Sequence, residues 1–364
     1  MRGVRAGDLT GKSHPRVVTG EALKVCIFGA GAIGGFLGVQ LASADAEVSL
    51  VARGAHLAAM RANGVRLQID GGERVARLQC TDNPAELGVQ DWVIITLKAH
   101  AIPVAAESMR PLIGGDTSIV TASNGLPFWF FANGTAKLAG GVLQSMDPGG
   151  RQANVLGSHR AVGCVVLPAT EVIAPGVIRH EHGRKFPIGE PNGGRTARIE
   201  QLHDLFVAGG LEAPIRDDIR DEIWLKLWGN LCLNPLGALT HATLDLIVTD
   251  PGTRAVCRAM MEEAEAIGER LGLKLRVDVE RRLDAAGALG AHRISMLQDL
   301  LHGRPMEVEA LVGIVAELGR RTGIATPSID IVLALIRLRA RVDAAPRGGP
   351  TDDEHAALLA VGAN

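Results

Sequence analysis

The spacing of apolar positions changes part-way along this chain. Leu23–Phe28 is a short, nearly continuous apolar run, the pattern of a strand buried on both faces of a sheet, and Gly29 to Gly35 follows as a turn. Phe36–Ala42 then reads as a helix and Glu47–Ala52 as the next strand. Val93–Leu97 and Ser118–Thr121 are further strands, separated by helical stretches. Such alternation predicts a parallel sheet with helices on both faces. From about Val142 to Gly189 the chain is richer in Gly and Pro. Its short β-branched runs, Val162–Leu167 and Gly176–Arg179, predict an antiparallel extension of that sheet. After Arg216 the period becomes helical, over 220–234, 251–271, 276–288 and 305–321. The last of these opens on Pro305, suited to a first helical position, and ends in Arg320, Arg321 and Gly323, suited to a helix C-terminus.

At the first strand–helix junction, Gly29-Ala30-Gly31-Ala32-Ile33-Gly34 fits the GxGxxG pattern in its required context. The first Gly permits the tight turn, the second lets backbone approach a pyrophosphate, and the third lets helix and strand pack closely. The expected fold is therefore α/β: an N-terminal Rossmann-type dinucleotide-binding domain over 22–216, then a C-terminal all-helical domain over 217–345 that supplies substrate and catalytic groups. A cleft is expected between them. Residues 1–21, polar and basic, read as a flexible extension, and 346–364 as a flexible tail. The second strand ends in Arg53 rather than an acid. A carboxylate there would accept a ribose 2′-OH and repel a 2′-phosphate, whereas Arg pairs with the phosphate, so NADP(H) is favoured over NAD(H). His56 could assist at the same phosphate or be an exposed loop residue.

Bulk properties narrow the partners. The chain has 364 residues and a formal net charge of −2, which offers no field for nucleic acid or an anionic membrane surface. Aromatic residues make up 3% with no Tyr, too few for a base-stacking surface. No apolar run reaches the ~18 residues of a membrane span, and the first 20 residues lack the apolar core of a secretory signal, so a cytoplasmic protein is expected. Cys26, Cys80, Cys164, Cys232 and Cys257 form no CxxC pair and read as small buried hydrophobes. The helical half has more apolar helix faces than one core needs, which points to a homodimer through it.

The most informative segment is Trp224-Leu-Lys226-Leu-Trp-Gly-Asn230-Leu-Cys-Leu-Asn234-Pro235. Lys226, Asn230 and Asn234 recur every four residues and drift only about 80° around a helix, so they form one polar stripe on an otherwise apolar segment. Buried polar groups need partners, and a substrate is one candidate. In the plainer reading both Asn staple neighbouring helices while Lys226 snorkels to solvent. Trp224 and Trp228 read as core, and Pro235 should kink or end the helix.

Together with Leu97-Lys98-Ala99, Asn124-Gly125, Ser295-Met-Leu-Gln-Asp299 and Glu307, these motifs resemble the ketopantoate reductase family over roughly residues 22–340. The resemblance implies a role for each matching position. Lys226 is the general acid that protonates the ketone oxygen of a 2-keto acid as hydride arrives. Glu307 hydrogen-bonds the hydroxyl being formed and lies near the cofactor. Asn230, Asn234 and Ser295 hold the substrate. Lys98 and Asn124 contact the ribose and nicotinamide side of NADPH, and Asn124 also borders the substrate. The chemistry is coherent: hydride addition builds negative charge on oxygen, and an ammonium stabilises and then protonates it. From the residues alone, Glu307 is equally a first-turn helix acid, Lys98 a surface lysine and Asn124-Gly125 a plain turn.

One departure stands out. Where some relatives carry a further substrate-binding Asn, this chain reads His241-Ala-Thr-Leu-Asp245. The aromatic stretch Leu126–Phe131 either shapes a pocket near the nicotinamide or belongs to the core. His180-Glu-His182 lacks a second ligand pair, so no metal site is expected. Three functions follow: reduction of 2-dehydropantoate (ketopantoate) to pantoate on the way to pantothenate and coenzyme A, reduction of another branched 2-keto acid on the same scaffold, or a non-catalytic NADP(H)-binding sensor.

Overall fold

The computed structural model describes residues 22–132 and 142–344, so the expected extension 1–21 and tail 346–364 lie outside the described residues. In chain order the first half comprises β1 (Leu23–Phe28), α1 (Ala32–Leu41), β2 (Ala46–Val51), α2 (Gly54–Asn63), β3 (Val65–Ile69), β4 (Gly72–Ala76), β5 (Gln79–Thr81) and β6 (Trp92–Ile95). Then follow α3 (Ile102–Ala105), β7 (Ser118–Thr121), α4 (Arg151–Leu156), β8 (Ala161–Cys164), β9 (Ala169–Ala174), β10 (Val177–His182), β11 (Ile188–Gly189) and α5 (Ala197–Ala208). The second half is helical: α6 (Ile219–Thr240), α7 (Leu244–Thr249), α8 (Pro251–Leu271), α9 (Val279–Gly287), α10 (Ser295–Leu301), α11 (Ile314–Thr322) and α12 (Pro327–Ala344).

The main sheet has seven strands in the order β11-β8-β7-β6-β1-β2-β5. All pairs are parallel except β11 with β8. Strand order reverses between β1 and β6, so the crevice at their carboxyl ends is where a doubly wound sheet receives its ligand. The glycine-rich loop leaves β1 at that point. The antiparallel extension expected over 142–189 is only partly what forms. β8 joins the main sheet in parallel and β11 alone pairs antiparallel to it. β9 and β10 leave to build a second sheet, β4-β3-β10-β9, over α1. Gly35 permits this packing, because a Cβ there would lie 2.5 Å from the Ile178 side chain of β10.

The core explains why the halves stay together. Cys26, Phe28, Val93, Ile95 and Ile119 on one face of the sheet share a single buried cluster with Trp224, Trp228, Met261 and Leu311 of the helical half. The other face and the second sheet bury a separate cluster around Phe36, Ile178, Phe186 and Phe206. α6 is the hub of the helical half, packed against α8, α10 and α12. Trp224 and Trp228 are buried in it, and the Trp228 indole donates to Met261 O at 2.7 Å.

Three boundaries differ from the sequence pattern. α1 begins at Ala32 rather than Phe36, so half of the GxGxxG segment is the first helical turn. α6 runs through Pro235 to Thr240, since Leu236 and Ala238 beyond it are buried and that packing outweighs the lost backbone bond. Pro305 does not open a helix. The helix starts at Val308, with a π-helical stretch at Glu309–Gly313, and Glu307 precedes it, its carbonyl accepting from Leu311 N. α6 then closes on His241, at φ 61° in the left-handed conformation. An L-residue is strained there. His241→Gly is therefore expected to stabilise the fold by about 0.5–1 kcal/mol, read as a small rise in Tm. An unchanged or lower Tm would show that the exposed 3.4 Å contact between Arg339 and His241 matters more than the strain.

Candidate active site

The loops that leave the carboxyl ends of β1, β2, β6, β7 and β8 carry the glycine motif, Arg53, Lys98, Asn124 and Val166 respectively. Strand geometry therefore places groups distant in sequence along one edge. At Gly29, φ is 111° and a Cβ would meet Leu97 at 2.8 Å. At Gly34 a Cβ would lie 2.1 Å from Gly29 O and 2.6 Å from Thr96 Oγ1, whose hydroxyl already donates to Gly29 O. Gly31 differs: it is exposed, and a Cβ there would meet nothing within 4 Å. The first and third glycines serve the protein's own packing, whereas the second keeps open a surface that the protein leaves free. No acidic side chain occupies the first turn of α1 and no side chain caps it. Ala30, Ala32 and Ile33 complete the loop, and its geometry fits a pyrophosphate against a helix N-terminus.

The Arg53 side chain is exposed at the start of α2, with no ion pair or hydrogen bond among the described residues. His56 takes neither expected role. Its Nδ1 accepts from Gly176 N at 2.9 Å and its Nε2 donates to Ala30 O at 2.7 Å, so the ring staples the glycine loop to the β9–β10 turn.

From α6, Lys226 Nζ reaches this edge and donates to Asn124 Oδ1 at 2.9 Å and to Val166 O at 2.6 Å. Asn124 Nδ2 donates to Glu307 Oε2 at 2.9 Å, and Ala99 N donates to Glu307 Oε1 at 2.8 Å. Lys98 Nζ reaches Asp299 Oδ2 at 2.7 Å and Glu307 Oε2 at 3.5 Å. One polar chain thus links Lys226, Asn124, Glu307, Lys98 and Asp299 between the two halves. Lys226 and Asn230 line a pocket with Thr121, Ser123, Cys164 and Val165. The Asn230 amide and the Ser295 hydroxyl have no hydrogen-bond partner among the described residues. Asn234 is buried, and its Oδ1 accepts from Met296 N at 3.4 Å, just inside α10.

The environments push the two lysines apart. Burial lowers the Lys226 pKa to about 8, with Glu307 and Cys164 pulling it back up and Lys98 adding to the fall. Burial works the same way on Lys98, but Glu307 and Asp299 outweigh it and its pKa is raised. Glu307 is itself buried, which alone would raise its pKa. Lys98, the Ala99 N–H, the Asn124 amide and His100 more than offset this and hold the carboxyl below its usual range. Lys98 is thus held more firmly as a cation and Glu307 as an anion, whereas Lys226 is the lysine that burial makes easier to deprotonate.

Matches to known proteins extend over both halves. The family model described as ketopantoate reductase PanE/ApbA matches residues 25–193, and its C-terminal counterpart matches residues 218–340. The chain belongs to the ketopantoate reductase family. It is 52% identical over 316 residues to the 2-dehydropantoate 2-reductase of Mesorhizobium japonicum, covering 86% of this chain and 97% of that one. It is 29% identical to the 2-dehydropantoate 2-reductase of Halobacterium salinarum, covering 88% and 99%. A PanE/ApbA family ketopantoate reductase structure from Ralstonia eutropha superposes with a TM-score of 0.76 at 28% identity, over 88% of this chain and 99% of that one. A D-mandelate dehydrogenase structure shares the fold, with a TM-score of 0.76 at 20% identity over 89% of this chain and all of that one.

Members of this ketopantoate reductase family are nicotinamide-dependent oxidoreductases, which accords with the expected reductase class. Among the described residues no helix is long and apolar enough to cross a membrane. Three parts of the site were not read from the sequence. Asp299 lies in the Ser295–Asp299 motif, and a carboxylate one turn after Ser295 on an apolar helix was its available signal. Val166 contributes only its carbonyl, for which no residue-level signal exists. Cys164, expected as a plain buried cysteine, also lines the pocket beside Lys226. The aromatic stretch belongs to the core: Trp129 and Phe130 are fully buried, and only Pro127 of its members borders the pocket.

Proposed function

We propose that this chain reduces 2-dehydropantoate to pantoate with NADPH, and that Lys226 is the proton donor. The observation that carries this reading is the contrast in how the two lysines are held: Asp299 and Glu307 tie Lys98 down, while Lys226, bonded to Asn124 Oδ1 and Val166 O, is buried in a pocket with the free amide of Asn230. A reduced nicotinamide, when bound, supplies the hydride. The glycine loop and the N-terminus of α1 would hold its pyrophosphate, and Arg53 would pair with its 2′-phosphate. Lys226 stabilises the charge that develops on the ketone oxygen and delivers its proton there. Asn124 orients the ammonium by accepting from it, and Glu307 orients Asn124 in turn. Asn230 and Ser295 offer unpaired donors to the substrate's carboxylate and hydroxyl, with Asn234 positioning α10 beside them.

The test follows NADPH absorbance with 2-dehydropantoate and, in parallel, with other branched 2-keto acids. Highest kcat/KM on 2-dehydropantoate is expected. Preference for another keto acid would move the assignment to that substrate, and NADPH binding without turnover on any would favour the sensor. Arg53→Ala is expected to raise KM for NADPH about 10- to 100-fold, the cost of losing a charge-assisted contact, while KM for NADH changes little. An equal effect on both cofactors would remove Arg53 from the 2′-phosphate site.

A further inference from the structure

The outer face of α12 is apolar, and no described residue covers it. Ile329, Val332, Leu333 and Ile336 face inward and are buried where α12 packs on α6 and α8. On the opposite side, Ile331, Leu335, Leu338 and Val342 are 64%, 51%, 52% and 61% exposed. At ~100° per residue these four fall within an arc of about 60°, one straight seam rather than scattered surface residues. Large apolar side chains concentrated in a seam mark a contact surface.

The seam has a property that selects its occupant. Its spacing of four, three and four residues reads the same from either end. An antiparallel copy of α12 therefore sets Ile331 against Val342 and Leu335 against Leu338, twice over, as a two-fold interface requires. The charges obey the same symmetry. Asp330 and Arg341 lie on the same flank of the seam at its two ends, so the antiparallel copy brings Asp330 of one chain beside Arg341 of the other. Arg341 has no partner among the described residues, and Asp330 accepts a hydrogen bond from the Thr326 hydroxyl at 3.1 Å. In a parallel copy the two-fold axis would instead put the two flanks on opposite sides of the seam, and neither Asp330 nor Arg341 would meet the other's charge.

We propose that the outer face of α12 pairs antiparallel with α12 of a second copy of this chain, through the Ile331–Leu335–Leu338–Val342 seam. Four side chains along three turns bury less than the ~1,000 Å² typical of a stable interface, so the dimer is concentration-dependent rather than obligate.

Sedimentation velocity on the full chain from about 1 to 200 µM tests it. A monomer–dimer equilibrium is expected. Leu335→Glu with Leu338→Glu should give monomer throughout, with unchanged NADPH turnover and circular dichroism, since both side chains point to solvent in the monomer. Asp330→Arg and Arg341→Asp should each weaken the dimer at least several-fold, and the two together should restore it. That rescue separates this register from any other dimer. Monomer at every concentration, or a dimer indifferent to the leucine pair, would overturn the proposal. So would a monomer that dimerises only after deletion of residues 345–364, which would assign the seam to the chain's own C-terminal segment.

Discussion

Lys226→Ala is expected to lower kcat by about 10²- to 10⁴-fold while NADPH still binds, the range over which a positioned general acid acts. The reason lies in what surrounds the ammonium. Asn124 Oδ1 and Val166 O take two of its protons' directions, and the pocket lies along the same face of α6, beside Asn230. Lys98 cannot substitute, because Asp299 and Glu307 hold its proton in place. The pH dependence gives an independent check. Lys226 must be protonated to act, and its pKa is lowered to about 8, so kcat/KM is level below that pH and falls about tenfold per unit above it. Bound phosphates and a substrate carboxylate add negative charge, so the limb for kcat lies higher than the limb for kcat/KM. A flat profile between pH 7 and 10, or a Lys226→Ala variant within tenfold of the parent, would assign the proton to another donor.

Glu307→Gln is expected to lower kcat about 10²-fold or more at neutral pH and to move the alkaline limb downward. Its carboxylate accepts from Ala99 N and Asn124 Nδ2, neighbours Lys98, and supports the charged form of Lys226. Glutamine keeps most of the shape and removes the charge. Two cationic lysines then face each other across the cleft with one counterion fewer, and each is easier to deprotonate. Lower activity with the limb unmoved would mean that Glu307 acts by packing or by substrate contact alone. A change in thermal unfolding without loss of activity would make it a structural anchor only.

How much of this was legible differs from residue to residue. The strands β1, β2, β6 and β7 and the helix α8 follow from apolar spacing, because each buries a face whose period is local to the chain. The hairpin β3–β4 has an equally local signal in Asp70-Gly71, both at positive φ (54° and 75°), which a search for longer periodic runs passes over. α7 and α10 are too short to declare a period. α12 is apolar on both faces, which blurs its periodicity. The helical period over 305–321 sets Glu307 in the first turn of a helix. Its actual position before Val308 follows from contacts with Ala99, Asn124 and Lys98, all some 180 to 210 residues away in sequence.

The sequence by itself determined the chemistry available: a glycine loop between strand and helix, an arginine where an acid would select another cofactor, and a lysine with two asparagines on one helical stripe. These are patterns of neighbouring residues, and local geometry enforces them. Only the tertiary structure decided which of those groups meet and in what state. Asn124 between Lys226 and Glu307, Asp299 against Lys98, and His56 as a staple rather than a phosphate ligand all arise where the sheet edge closes against the helices. A pKa near 8 for one lysine and a raised one for the other has the same origin, because desolvation and nearby charge depend on what lies a few ångströms away in space.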